Sequence, residues 1–433
     1  MLKPEENELV TRTGPGTPMG EWFRRFWLPV MLAEEVPVPD SPPVRVTVLG
    51  ENLIAFRDSE GKLGLLDRYC AHRRADLFFG RNEECGLRCV YHGWKYDIRG
   101  TCVDMPSEPP ESNFKEKIKL KAYPCQERAG LIWAYLGPSE LKPEMPQLEW
   151  TRVPDSHRYM QKSIISCNYL QTPEGDIDTV HSAFLHRWFD PNYMQSIPMS
   201  LGGGKGTAST YRTGLRAKKA GEWAKFVTKD TDYGMMIGAY REAEDDQYLW
   251  HITHWLMPTY DLVGAGGPGQ TLRCNMRIPI DDEHLLLFRV QWNPDRPLTN
   301  EELALFKSWR FFGELIPGTY LPKRNMENNF LIDRELQRSW NYTGIMGNPA
   351  QDQAVNCSMG PIPDRSQEHL GSSDAAIIAL RRRLLNAVRD IQEGRGPYAA
   401  YHGEVYRVRQ SDILLKKNIP LEEGARQSGM AKP

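Results

Sequence analysis

At 433 residues, 40% hydrophobic and 25% charged, the chain has room for two or three domains and a substantial core. Fifty-four basic residues against 56 acidic leave a formal charge of −2, which excludes the basic footprint of a nucleic-acid or anionic-membrane binder. No run of about eighteen apolar residues occurs and the stretch from Met1 to Gly14 is polar, so no membrane segment or signal peptide is expected and the reading is cytoplasmic. Residues 1–39 hold the aromatic stretch Trp22-Phe23-Arg24-Arg25-Phe26-Trp27 and are expected to pack across the domains that follow. From 40 to 137 the pattern is one of short strands broken by turns. Residues 44–49 alternate apolar and polar, 52–56 form a short apolar run, and Gly50-Glu51 supplies a turn between them. Residues 63–66 follow a turn-like 58–61, and 131–135 read as a buried strand, so this is a small all-β domain.

Within it stand Cys70-Ala71-His72 and, sixteen residues later, Cys89-Val90-Tyr91-His92-Gly93-Trp94. Each half presents one thiolate and one imidazole from a tight loop. Two such loops suit a Rieske [2Fe–2S] cluster, in which one iron takes Cys70 and Cys89 and the other takes His72 and His92. Cys2His2 also binds zinc, but zinc fingers usually keep both cysteines in one half and both histidines in the other. Gly86, Gly93, Trp94 and Gly100 suit a loop whose backbone comes close to a cofactor. Eight cysteines are too few for a disulfide scaffold, so those at ligand spacing read as metal ligands. Cys85, Cys102, Cys125, Cys167, Cys274 and Cys357 read as ordinary small, semi-buried side chains.

Pro-rich stretches at 108–111 and 137–146 mark loops, the second a domain boundary. Beyond it, residues 138–433 mix strands and helices as an α+β domain. Residues 247–253 and 285–290 suit a central sheet, and Thr299-x-x-Glu302 is a capping box that opens a helix through Phe311. Ser373-Asp374 caps another helix, in which Ile377, Leu380, Leu384, Val388 and Ile391 recur at helical spacing. The tail after Leu421 is polar and expected to fray. Gly202-Gly203-Gly204 lies among small and polar residues and reads as a flexible lid; no G-x-G-x-x-G opens a βαβ unit.

A lone ferredoxin would end near residue 140, so the remainder needs its own explanation. His181 and His186, with one carboxylate from elsewhere, would make a 2-His-1-carboxylate facial triad, which holds Fe(II) on one face and leaves the other positions open. On spacing alone Asp352, Asp364 and Asp374 all compete for the third place. An ideal helix would set the two histidines about 140° apart, so the backbone is expected to break between them.

Taken together, the two-part Cys/His motif, Asn168-x-x-Gln171-x-x-Glu174-Gly175, Asp178-x-x-His181-x4-His186 and Gln351-Asp352-Gln353-Ala354-Val355 carry a resemblance. Over nearly its whole length the chain resembles the terminal oxygenases of the Rieske non-haem iron family, in the phthalate dioxygenase and aromatic O-demethylase branch. The resemblance implies an α+β fold, with a small all-β Rieske domain and a larger helix-grip-like domain built on an antiparallel sheet. It implies that His181, His186 and Asp352 hold a mononuclear iron beside the [2Fe–2S] cluster. Asp178 would share a helical face with His181 and bridge to a Rieske histidine of a neighbouring subunit in a homotrimer, possibly a stacked hexamer. Electrons from NAD(P)H would arrive through a separate flavin and plant-type [2Fe–2S] reductase, to act with O2 on a small aromatic substrate. Val90 stands where many members have proline, and it is not a ligand position.

The substrate is less legible. Met235, Met236, Trp250, His251, His254, Trp255 and Met257 suit either a planar guest or ordinary sheet core. Arg241 and Arg277 are candidates for binding a carboxylate. Three readings stay open: cis-dihydroxylation of a phthalate- or benzoate-like acid, O-demethylation of a methoxylated aromatic acid, and an electron-transfer protein without oxygenase activity.

Overall fold

A computed structural model describes residues 1–109, 111–189, 225–243, 246–264 and 269–428. Gly202-Gly203-Gly204 lies outside the described residues. The chain divides into two compact units, one of residues 13–143 with 278–281, the other of residues 1–12, 144–277 and 282–433. The N-terminal segment expected as one piece is thus split at Arg12/Thr13, and the boundary expected near residue 137 falls at Pro143/Glu144.

The smaller unit is built from ten short strands: β1 Trp27–Leu32, β2 Val44–Val48, β3 Glu51–Arg57, β4 Leu63–Asp67, β5 Arg81–Glu83, β6 Gly86–Arg88, β7 Lys95–Tyr96, β8 Cys102–Asp104, β9 Cys125–Arg128 and β10 Leu131–Tyr135. They form antiparallel sheets ordered β1-β10-β9, β2-β3-β4 and β5-β6-β7-β8. The β2–β3 turn is Leu49-Gly50, both at positive φ, one residue earlier than the sequence suggested. Ile54, Phe56, Leu66, Leu77, Leu87, Trp94 and Tyr96 fill the core, and the sulfurs of Cys70 and Cys89 belong to the same cluster.

In the larger unit β11 Arg158–Ile165, β12 Lys225–Thr231, β13 Gly234–Glu242, β14 Gln247–Leu256, β15 Tyr260–Leu262, β16 Leu272–Pro279, β17 Leu285–Trp292 and β18 Ser411–Lys416 make one sheet. Its order is β11-β17-β16-β15-β14-β13-β12, with β18 pairing β14. Every residue of β17 is buried, which explains its unbroken apolar start. Helices α1 Pro4–Thr11, α2 Pro18–Phe23, α3 Gln171–Ile177, α4 Asn300–Phe306, α5 Arg334–Ser339, α6 Asn348–Ser358 and α7 Ala375–Gln392 follow in chain order, α2 alone belonging to the smaller unit. The amphipathic α7 packs against β12 and β13 and against α1 and α3.

Two expectations fail locally. The helix opened by the Thr299 capping box stops at Phe306, and the chain turns back to set Phe311 and Phe312 edge-on against that ring. The tail does not fray at once: α8 Leu421–Ser428 forms, with Leu421 buried beside Leu415 of β18. No helix among the described residues is long and apolar enough to cross a membrane.

Candidate metal centres and the adjoining cavity

The two Cys/His segments of the smaller unit are built alike. Cys70 N–H donates to Ala75 O at 2.9 Å and Arg74 N–H returns to Cys70 O at 2.9 Å; Cys89 N–H donates to Trp94 O at 2.8 Å and Gly93 N–H returns to Cys89 O at 3.0 Å. In each loop the fifth residue turns the chain at positive φ, Arg74 in one and Gly93 in the other. A Cβ on Gly93 would sit 2.6 Å from Pro106 Cγ, so this turn admits only glycine. The loops bury the two thiols while His72 is exposed and His92 half-buried, the two imidazoles 4.4 Å apart. His72 stacks on Trp94 at 4.5 Å and 11°. The Tyr96 hydroxyl lies 3.2 Å from Cys70 Sγ, within reach to donate to a thiolate there, and accepts from Ala71 N–H at 3.2 Å. The neighbouring Cys89 thiol and this hydroxyl together pull the Cys70 thiol down to about 6.

In the larger unit the segment bearing the histidines is anchored by the polar residues just before it. Asn168 Nδ2 donates to Thr11 O at 2.9 Å and Asp282 O at 2.7 Å, and Gln171 Nε2 donates to Asn356 O at 2.6 Å and Gly360 O at 3.0 Å. Glu174, buried, accepts from Arg365 Nη2 at 3.1 Å and Arg381 Nε at 2.6 Å. The Asn-x-x-Gln-x-x-Glu spacing therefore has a positional job: it fixes α3 onto α1, α6 and α7. The helix ends at Ile177, Asp178 is extended, and a single 3₁₀ turn covers His181–Ala183. The expected break is present, and it corrects one detail: Asp178 and His181 are neighbours around a corner, not on one helical face. Asp178 Oδ2 stands 3.6 Å from His181 Nδ1, and its Oδ1 accepts from Val180 N–H at 2.8 Å.

Asp352 comes from α6. Its Oδ1 lies 3.1 Å from His186 Nε2 and 3.7 Å from His181 Nε2, and those two nitrogens are 3.3 Å apart. One ligand atom from each residue lies within 4.8 Å of the others, a group able to hold a metal ion. Burial pushes the Asp352 carboxyl up, but His186 and His181 outweigh it and keep it below the usual carboxylate range. Burial alone would lower His181, yet Asp178 and Asp352 raise it. Of the competing carboxylates, Asp364 is an exposed cap on Ser366 N–H and Asp374 accepts from Gly371 N–H at 2.6 Å, so neither reaches the group.

A cavity partly open to solvent adjoins the three residues. Asp176, Asp178, His181, His186 and Asp352 line it, as do Arg241, His251 and Arg273 from β13, β14 and β16. His251 is held by Asp412, its cross-strand partner on β18, at 2.5 Å. Arg277 is corrected: it is buried, with its terminal nitrogens committed to Asp176 and Asp261, and it does not line the cavity. Within the Met/aromatic group only His251 reaches the cavity, the others being sheet core. Sequence reasoning missed Tyr96, Gln351, Arg273 and Asp412. Gln351 carried a signal in its place beside Asp352; the others are recognisable only from the fold.

Residues 26–124 match the Rieske [2Fe-2S] domain family, and residues 134–416 match the family described as LigXa C-terminal domain like. The chain is 39% identical over 404 residues to the phthalate 4,5-dioxygenase oxygenase subunit of Pseudomonas putida, covering 91% of this chain and 88% of that one. It is 33% identical to the 5,5'-dehydrodivanillate O-demethylase oxygenase subunit of a Sphingobium species, covering 97% of this chain and 86% of that one. The chain belongs to the Rieske non-haem iron oxygenases. A solved structure of NdmA from Pseudomonas putida CBB5 shares the fold, with a TM-score of 0.59 at 21% identity over 89% of this chain and 96% of that one. As a Rieske oxygenase the protein is an oxidoreductase, and oxygenases of this type carry the [2Fe–2S] cluster and a mononuclear iron in the catalytic domain. The reading as an electron carrier without oxygenase activity is thereby set aside.

Proposed function

We propose that this Rieske oxygenase is the terminal component of a system that cis-dihydroxylates a phthalate-like aromatic carboxylate with O2 and electrons from NAD(P)H, relayed by a separate flavin/[2Fe–2S] reductase. The observation that carries the substrate class is the shared cavity: Arg241, Arg273 and His251 line the same space as His181, His186 and Asp352. Cys70, His72, Cys89 and His92 would hold the cluster, and His181, His186 and Asp352 the mononuclear iron. When bound, these groups supply single-electron delivery and oxygen activation. The chain's own part is orientation. Arg241, from its place on the cavity wall, would face a substrate carboxylate and turn the ring toward the three ligands. Arg277, engaged by two aspartates, has no share in this.

Asp178 would accept from His181 and from a Rieske histidine of a second copy, so that electrons cross between subunits. Exposed Val90 and Tyr91, the latter against His92, and exposed Phe184, three residues past His181 and in contact with exposed Tyr342, are apolar surfaces that such a contact would cover. A head-to-tail homotrimer, possibly stacked as a hexamer, satisfies this arrangement in a cytoplasmic enzyme. The test is a single turnover: chemically reduced enzyme, O2, a panel of aromatic acids, and mass spectrometry with a formaldehyde assay. A diol without formaldehyde supports dihydroxylation. Formaldehyde with a freed phenol replaces it by O-demethylation, and no product from any acid removes the carboxylate as the recognised group.

A further inference from the structure

Beyond the three ligand candidates, one fully buried side chain touches His186. Gln351, the residue before Asp352 on α6, has its amide between two groups of opposite need. Ile345 O can only accept, and Gln351 Nε2 donates to it at 2.9 Å. The other end of the amide, Oε1, must then face His186 Nδ1, at 2.8 Å. Because Oε1 can only accept, Nδ1 carries the ring hydrogen. The lone pair is left on Nε2, the nitrogen that faces His181 Nε2 and Asp352 Oδ1.

The carbonyl at the root of this chain is itself held. Asn341, fully buried, donates from Nδ2 to Ile345 O at 3.0 Å and accepts from Gly344 N–H at 2.5 Å. Gly344 sits at φ +72° with no room for a Cβ, which would lie 2.2 Å from Asp333 O. The same loop grips the backbone just past His186: Phe189 N–H donates to Trp340 O at 2.8 Å and Tyr342 N–H to Arg187 O at 2.9 Å. One loop thus fixes both the path of the chain after His186 and, through Gln351, its ring. His181 differs, since its nearest carboxylate oxygen is 3.6 Å away.

We propose that Gln351 is a positioning residue that locks the tautomer and ring plane of His186 for metal binding; this rests on the reading of His186 as a metal ligand. Glutamine suits the place because it bridges an N–H and a C=O without charge. Glutamate keeps the acceptor but sets an oxygen against Ile345 O, and methionine spans the same length without polar atoms.

The experiment uses the full chain with its cluster in place. The mononuclear metal is stripped with a chelator, and Co(II) is titrated back by its ligand-field absorption. Gln351→Met is expected to bind Co(II) about 10- to 100-fold more weakly, with an altered spectrum for the ion that does bind. Gln351→Glu, which keeps the acceptor, recovers most of the affinity and shifts the spectrum. Wild-type affinity and spectrum in Gln351→Met, with binding lost in His186→Ala, overturn the role of Gln351 alone. Wild-type binding in His186→Ala overturns the ligand reading instead. Should Gln351→Met fail to fold, Gln351→Glu decides: a shifted spectrum supports the lock, and an unchanged spectrum at unchanged affinity refutes it.

Discussion

His254 offers the sharpest quantitative test of the larger unit. It lies buried in β14, three residues from His251, which lines the cavity. Its Nε2 donates to Arg409 O at 2.9 Å and its Nδ1 accepts from the Tyr233 hydroxyl at 2.7 Å, so both ring nitrogens are satisfied by a neutral ring. Burial holds its pKa down to about 4, from 6.5. The folded state therefore refuses a proton that the unfolded chain accepts. Stability from this residue is complete above pH 6.5 and is lost as pH falls toward 4. A gap of this size corresponds to roughly 3 kcal/mol in full, of which about 2 kcal/mol disappears between pH 7 and pH 5. The comparison is with His254→Gln, which can keep both hydrogen bonds but does not titrate. Urea unfolding of both proteins, followed by far-UV circular dichroism and tryptophan fluorescence, is measured at pH 7 and pH 5. Acid effects on the cofactors are common to the two and cancel in the difference. The wild type should lose about 2 kcal/mol more than the variant over that interval. Parallel losses in the two proteins, equal within about half a kcal/mol, would refute a neutral buried His254.

Replacing Glu174 by Gln takes the carboxylate from the buried Arg365 and leaves Arg381 with Glu368, and should cost about 3 kcal/mol of stability by denaturant unfolding. Mononuclear iron content should fall in the same protein, because α3 loses its anchor. Tyr96→Phe removes the hydroxyl beside Cys70 Sγ, and the cluster potential should drop by tens of millivolts in a spectroelectrochemical titration; an unmoved potential would mean the hydrogen points elsewhere. Asp178→Asn should retain both iron centres by metal analysis yet turn over at least about tenfold more slowly, as expected for an outer-sphere partner of the ligands. Wild-type turnover in that variant would remove Asp178 from the electron path.

Ligand chemistry was legible because it is local. A Cys-x-His and a Cys-x-x-His each sit in one tight loop, and the two loops repeat the same pair of backbone hydrogen bonds, so a spacing in the sequence translates directly into a spacing in space. The break between His181 and His186 was equally foreseeable, since five residues cannot return to one side of a regular helix. Strand positions in the smaller unit and the amphipathic α7 follow from periodicity for the same reason.

What depended on long-range packing was not legible. Arg241 and Arg277 look alike along the chain, yet one lines the cavity and the other is sealed between Asp176 and Asp261, the former about a hundred residues away. Asp352 could not be separated from Asp364 and Asp374 by spacing, because the choice is made by α6 bringing one carboxylate to His186 while the others cap exposed turns. Gln351 and Tyr96 owe their roles to partners set by the fold, the carbonyl of Ile345 and a sulfur on another loop. The residue types that bind metal are written in short motifs; which way a ring nitrogen points, and which arginine remains at the cavity, is settled when distant segments pack and every buried polar group must find its complement.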